Sequence, residues 1–166
     1  MHIIRDGRAA ALSLKRMWFS PSDQIGKLAS YWRNCVLEAR RGGFGSPDYL
    51  EVRYEDLILN AEGTLRRICN FIDLEYDEVM LQYYIRAPVR LKEHKGRKLS
   101  DGTSLVTQEQ RIRQQQRTTE PPDPTQVFGW MTSMSAGERK EFEAVAGDLL
   151  ADLGYETEGN AIPSRY

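Results

Sequence analysis

The opening stretch, MHIIRDGRAAALSLKRMW, constrains the fold more than any other part of the chain. His2, Ile3 and Ile4 read as a short strand, Arg5-Asp6-Gly7-Arg8 as a polar corner, and the Ala- and Leu-rich residues beyond it as a helix. A strand, a tight turn with Gly at its bend and a helix start form the layout of an anion site. Helix-terminal N–H groups and the helix dipole favour negative charge there. An Arg at the strand's end adds a two-pronged phosphate donor. Such corners are also common, and Arg5 and Arg8 then read as surface charges beside Asp6.

Further elements follow in order. Ala10, Ala11, Leu14, Met17 and Trp18 recur at helical spacing, so one face of the first helix packs inward. Ser20-Pro21-Ser22-Asp23 ends that helix and caps a second, whose apolar stripe is Ile25, Leu28, Ala29, Trp32, Cys35, Val36 and Ala39. Arg40-Arg41-Gly42-Gly43 supplies the basic residues and glycines that a helix C-terminus prefers. Tyr49 to Tyr54 alternates and is β-prone, a strand closed by Glu55-Asp56. Asn60 caps a helix carrying Leu65, Ile68, Cys69 and Ile72, and a shorter helix covers Asp77 to Tyr84. The closing helix is the best defined: Ser135 and Glu138 have capping-box spacing, Phe142, Val145, Ala146, Leu149, Leu150 and Leu153 form its stripe, and Gly154 stops it.

Between Ile85 and Trp130 the periodicity dissolves, which reads as one long loop. Residues 86 to 117 hold nine basic residues (Arg86, Arg90, Lys92, Lys95, Arg97, Lys98, Arg111, Arg113, Arg117) against Glu93, Asp101 and Glu109. That window is +6 in a chain of 166 residues with net charge −1. A solvated loop and an anion-binding lid both fit it. The overall charge gives no warrant for a nucleic-acid or membrane partner. Cys35 and Cys69 both fall in apolar helical patterns and read as reduced core residues, not as a disulfide or zinc site. His94 has no second ligand at metal spacing, so no metal site is expected. No run approaches the ~18 apolar residues of a membrane span. Charge at Arg5 precedes any signal-like apolar run, so a cytoplasmic location is the expectation.

The inventory is lopsided: two strand candidates against about five helices. A βα-type strand at the very start has no preceding element to set it in a sheet, so the chain reads as the back part of a larger α/β domain.

At this point the residues resemble a known family. HIIRDGRAAALSL with a Trp-containing helix, then EVRYEDLILN, NFIDL and a GW…EFEAVAGDLLADLGY closure, is similar to the C-terminal part of sulfotransferases that use 3′-phosphoadenosine 5′-phosphosulfate (PAPS). The resemblance spans His2 to Tyr155 and implies a sulfotransferase-like domain over residues 1–156, with 157–166 as a C-terminal tail. The implied fold is α/β, a partial P-loop-like sulfotransferase fold that is mostly helical with two recognisable strands of a parallel sheet. In the family an Arg at a strand end and a Ser eight residues later hold the nucleotide 3′-phosphate, roles that carry over to Arg5 and Ser13. The Tyr of the YED segment lies near the adenine, which carries over to Tyr54. Read from the residues alone, Ser13 is a helix hydroxyl bonding back to its own turn, and Tyr54 is a strand aromatic in the core.

The departures are as informative. The family's 5′-phosphosulfate loop, Gly- and Thr-containing with a phosphate-binding Lys, has no counterpart in this sequence. Its catalytic base lies upstream of the RDGR segment, so no catalytic residue is assigned. Ala9 stands where members often have Asp. The basic-Gly motif over the 3′-phosphate is not recognisable before Gly129-Trp130; Asp123-Pro124-Thr125 occupies that place, with Arg117 and Arg97-Lys98 as candidate substitutes. The implied reaction is sulfuryl transfer from PAPS to a hydroxyl or amine acceptor, in a truncated form not active alone. The alternative is a non-catalytic nucleotide- or anion-binding or protein-interaction domain derived from the fold. Self-association through an exposed sheet edge is a further expectation.

Overall fold

A computed structural model describes residues 1–43 and 45–158. The expected tail 157–166 therefore falls outside the described residues from 159 onward. The chain divides into two compact units: Met1–Glu55 together with the chain from Thr125, and Asp56–Pro124.

In the first unit, β1 (His2–Ile4) runs parallel to β2 (Glu51–Arg53), with His2 opposite Glu51 and Ile4 opposite Arg53. This is the expected two-strand parallel sheet in a mostly helical α/β chain. α1 (Gly7–Lys15) and α2 (Ile25–Gly43) follow β1, while a short α7 (Trp130–Ser133) and α8 (Ala136–Asp152) return from the far end of the sequence. α2 packs on both α1 and α8. The core joins Ile4 with Leu28, Ala29 and Trp32 of α2 and Phe142, Ala146 and Leu150 of α8. The stripes read from periodicity supply most of the packed faces, with two corrections. α1 ends at Lys15, so Met17 and Trp18 lie beyond it and Trp18 is exposed. Cys35 is exposed, because the side of α2 that meets its neighbours passes through Trp32 and Val36. Cys69 is buried as expected.

Local signals set the helix ends. The Ser135 hydroxyl accepts from the Glu138 backbone N–H at 3.2 Å, and the Glu138 carboxylate accepts from the Ser135 N–H at 3.1 Å, a complete capping box. Gly154, at φ +76°, ends α8 in the left-handed region that glycine adopts without strain. Close approach fixes a second glycine: a Cβ on Gly7 would lie 2.6 Å from the Phe142 ring and 2.7 Å from Trp32. Along the α2–α8 seam Arg33 pairs with Asp148, and Arg40 bridges Glu51 and Asp152 at 2.8 and 2.7 Å.

The strand expected over Tyr49–Tyr54 is shorter than its sequence pattern. The parallel ladder ends at Arg53, where β1 ends too, and Tyr54 begins a six-residue helix, α3 (Tyr54–Leu59). A strand with no neighbour leaves its backbone groups unpaired, and a helix satisfies them locally.

The second unit contains α4 (Ala61–Phe71), capped by Asn60 as expected, and a 3-10 turn over Glu78–Gln82 capped by Asp77. The segment read as one long loop is structured. α5 (Tyr83–Leu91), an antiparallel pair β3 (Arg97–Lys98) and β4 (Ser104–Val106), and α6 (Gln108–Gln115) fill most of it. The sequence hides these elements for identifiable reasons. α5 contains Pro88, which removes a helix N–H, and α6 carries a single apolar residue, Ile112, with no buried residue. What holds α6 is its Thr107–Gln110 capping box, the Arg111 guanidinium on the Lys95 carbonyl at 2.6 Å, and Gln108 on the Lys92 carbonyl at 3.2 Å.

Candidate functional site

The RDGR corner sends its two arginines to different places. Asp6 caps α1 with its own side chain: its carboxylate accepts from the Arg8 backbone N–H at 2.9 Å, so the helix N-terminus already holds an anion supplied by the chain. The Arg8 guanidinium folds back as a fork on the same carboxylate at 3.1 and 2.8 Å and reaches Glu143 of α8 at 2.6 Å. It also lies 3.8 Å above the Trp130 ring. Arg8 is 2% exposed and Asp6 5%, so the surface-charge reading fails for both. Burial alone would lower the Arg8 pKa, but the hydrogen bonds and charges of Asp6 and Glu143 outweigh it and the net direction is upward.

The network continues through Glu55, also buried. Its carboxylate accepts from the Asp6 backbone N–H at 2.9 Å and from the Tyr155 hydroxyl at 3.0 Å. Burial first, and the Glu55 charge second, push the Tyr155 phenol well above its ordinary range and keep it a donor. Arg53 lies over the Tyr155 ring at 4.3 Å. These residues line a cavity of about 490 Å³ shared with Phe128 and Met131. Every charge in it except Glu156 belongs to the lattice just described or to Arg53, which makes this corner a structural clamp between β1, α1 and α8.

Arg5 points elsewhere. Its guanidinium stacks on the Tyr54 ring, 4.6 Å from the centroid, and its Nε is buried with no hydrogen-bond partner. Arg53 Nε, Arg139 Nε and the Tyr76 hydroxyl are likewise buried without a hydrogen-bond partner among the described residues, and at Arg5 an anion would satisfy the donor. Arg5 and Ser13 line one cavity of about 360 Å³, whose other walls include Leu14, Met17, Phe19, Tyr31, Trp32 and Cys35. Helical geometry places Ser13 about two turns along α1 from the corner. Of the three residues expected at a nucleotide site, Arg5 and Ser13 line one cavity, and Tyr54 stacks on Arg5 from a helix start, not from a strand.

Sequence reasoning missed the far walls of this cavity. Tyr31 and Cys35 sit one helical turn apart on α2, and hydrogen bonding to Cys35 raises the Tyr31 phenol pKa. Their spacing was visible, but that α2 faces Ser13 was not. No group of acidic, His or Cys side chains able to hold a metal occurs among the described residues. His94 is partly exposed and stands in no such group.

Residues 1–78 match the sulfotransferase family. That span carries β1, α1, α2, β2, α3 and α4, and it includes Arg5, Ser13 and Tyr54. No curated protein and no solved structure gives a significant match. The segment from Met1 to Glu78 is therefore sulfotransferase-like in sequence, with the strand–corner–helix at its head.

Proposed function

We propose that this chain carries the 3′-phosphate half of a PAPS site and belongs to an enzyme that transfers a sulfuryl group to a hydroxyl or amine. The observation that carries the reading is the orphaned, buried Nε of Arg5 in a cavity shared with Ser13. A dianionic phosphate would accept from the Arg5 fork and from the Ser13 hydroxyl, while the Tyr54 ring holds the guanidinium plane in place. The aromatic and thioether side chains of Phe19, Tyr31 and Met17 supply apolar walls for a nucleoside. PAPS supplies the activated sulfuryl group. The chain's own residues bind and orient the nucleotide, and no proton transfer is assigned to any of them.

The extent of the domain is part of the proposal. α8 packs against α1 and α2, which supports a sulfotransferase-like unit reaching Glu156 although the family match stops at Glu78. A cytoplasmic setting is supported by two free thiols, Cys35 and Cys69. No helix among the described residues is long and apolar enough to cross a membrane.

Calorimetry with adenosine 3′,5′-bisphosphate tests the site. Binding is expected, with Arg5→Ala weakening it by roughly 10- to 100-fold through loss of charge-assisted hydrogen bonds. Ser13→Ala should cost less, about five- to tenfold. Absence of heat at millimolar nucleotide would refute the reading. A parallel sulfuryl-transfer assay separates the two functional classes. Binding without turnover is expected of the chain alone, because its sequence offers no Gly-rich loop with a Lys for the 5′-phosphosulfate.

A further inference from the structure

The second unit, taken by itself, has its charge sorted along the sequence. Residues 56 to 78 hold six acidic and two basic side chains, while residues 86 to 117 hold nine basic and three acidic ones. The structure converts that basic run from a loop into a helix, a hairpin and a second helix, so Arg86, Arg90, Arg97, Lys98, Arg111 and Arg113 sit on regular elements. A few are internally engaged: Arg111 holds the Lys95 carbonyl and Arg90 pairs with Glu93 at 3.2 Å. Arg97 and Lys98, the whole of β3, are exposed.

Apolar side chains stand among these cations where water should have excluded them. On α5, Ile85 and Val89 lie one turn apart and are 62% and 65% exposed. Arg86 and Arg90 occupy the adjoining positions of the same two turns, and both are exposed. The hairpin repeats the combination, with Leu99 and Leu105 exposed beside Arg97 and Lys98. Single exposed aliphatics are ordinary, but paired aliphatics bracketed by cations on two elements suit an interface that is apolar within and anionic at its surface.

We propose that the second unit docks peripherally on an anionic lipid surface through α5 and the β3–β4 hairpin. Charge complementarity selects the partner: a net +6 window is attracted to acidic headgroups, and Ile85 and Val89 enter the boundary between headgroups and acyl chains. A nucleic acid would use the cations but not the aliphatics, since base stacking needs aromatic or planar groups and Ile85, Val89, Leu99 and Leu105 provide none. The inference is independent of the nucleotide site, because it uses no residue of the first unit.

Flotation of the full chain with vesicles of phosphatidylserine and phosphatidylcholine, against phosphatidylcholine alone, provides the test. Binding should require phosphatidylserine and be lost as salt rises from about 0.1 M to about 1 M, where screening shortens from about 10 Å to about 3 Å. Arg97→Gln with Lys98→Gln should weaken partitioning about fivefold per cation removed. Ile85→Ser with Val89→Ser should weaken it about tenfold per side chain while leaving retention on a heparin column unchanged. All four side chains are exposed, and far-UV circular dichroism is the check that the variants stay folded. Equal binding to both vesicle types, or none to either, overturns the proposal. So does a protein that binds RNA or heparin but whose vesicle binding ignores the Ile85 and Val89 substitutions.

Discussion

Arg8→Ala tests the clamp most directly. The substitution removes two fork contacts on Asp6, one contact on Glu143 and the stack on Trp130, and leaves a carboxylate that is 5% exposed with one backbone N–H for company. Breaking a buried pair by deleting one partner costs about 3–5 kcal/mol, because the surviving charge keeps its desolvation penalty. Loss of the cation–π contact adds about 1 kcal/mol. A total near 4–6 kcal/mol is a large share of a native stability of roughly 5–15 kcal/mol. The melting temperature should fall by roughly 10–15 °C for a chain of this size. Urea unfolding followed by tryptophan fluorescence measures the change, with Trp130 in contact with the altered side chain. Lys15→Ala is the internal comparison: its ion pair with Glu138, at 3.3 Å, is exposed at both ends and should be worth less than about 1 kcal/mol. If Arg8→Ala and Lys15→Ala cost the same, water reaches the corner and the argument for a dry clamp fails.

Three further outcomes follow from individual contacts. Tyr155→Phe keeps the ring but removes a buried donor to the Glu55 carboxylate, and should destabilise by about 2 kcal/mol in the same denaturant assay. Gly7→Ala places a methyl against two core rings, and should cost about 1–3 kcal/mol; a neutral result would mean that Trp32 and Phe142 repack freely. The Tyr49 hydroxyl donates to Glu51 at 2.8 Å and meets His2 Nδ1 at 2.8 Å, and burial with the Glu51 contact pushes its pKa up to about 12. A raised phenol pKa adds stability that is complete below the unfolded value of about 10 and disappears as pH climbs through the folded one. A phenolate absorbance titration of the native protein against Tyr49→Phe should show one tyrosine ionising near pH 12; its appearance near pH 10 would contradict the hydrogen-bond geometry.

The sequence by itself determined the helices with strong period and strong caps. Ser135 and Glu138 mark the start of α8, Gly154 marks its end, and the residues between them at helical spacing are the buried ones, because local propensity and burial agree there. It also determined that Arg5 and Ser13 stand eight residues apart on a strand–helix junction, which fixes them near one another whatever surrounds them. Elements without a hydrophobic period stayed illegible. α6 has no buried residue and α5 contains a proline, so neither writes a signal that a one-dimensional pattern can carry.

Only the tertiary structure decided the division of labour within RDGR. Arg5 and Arg8 look alike in the sequence, three residues apart beside one Asp. Arg8 is consumed by Asp6 and by Glu143, a residue 135 positions later, and so cannot serve a ligand. Arg5 stacks on a tyrosine ring and, among the described residues, its buried Nε has no acceptor. The distinction depends on which distant carboxylate the fold brings within hydrogen-bond reach. Such a pairing leaves no trace in local spacing, and it decides which arginine holds the fold together and which one keeps a buried donor without an acceptor among the described residues.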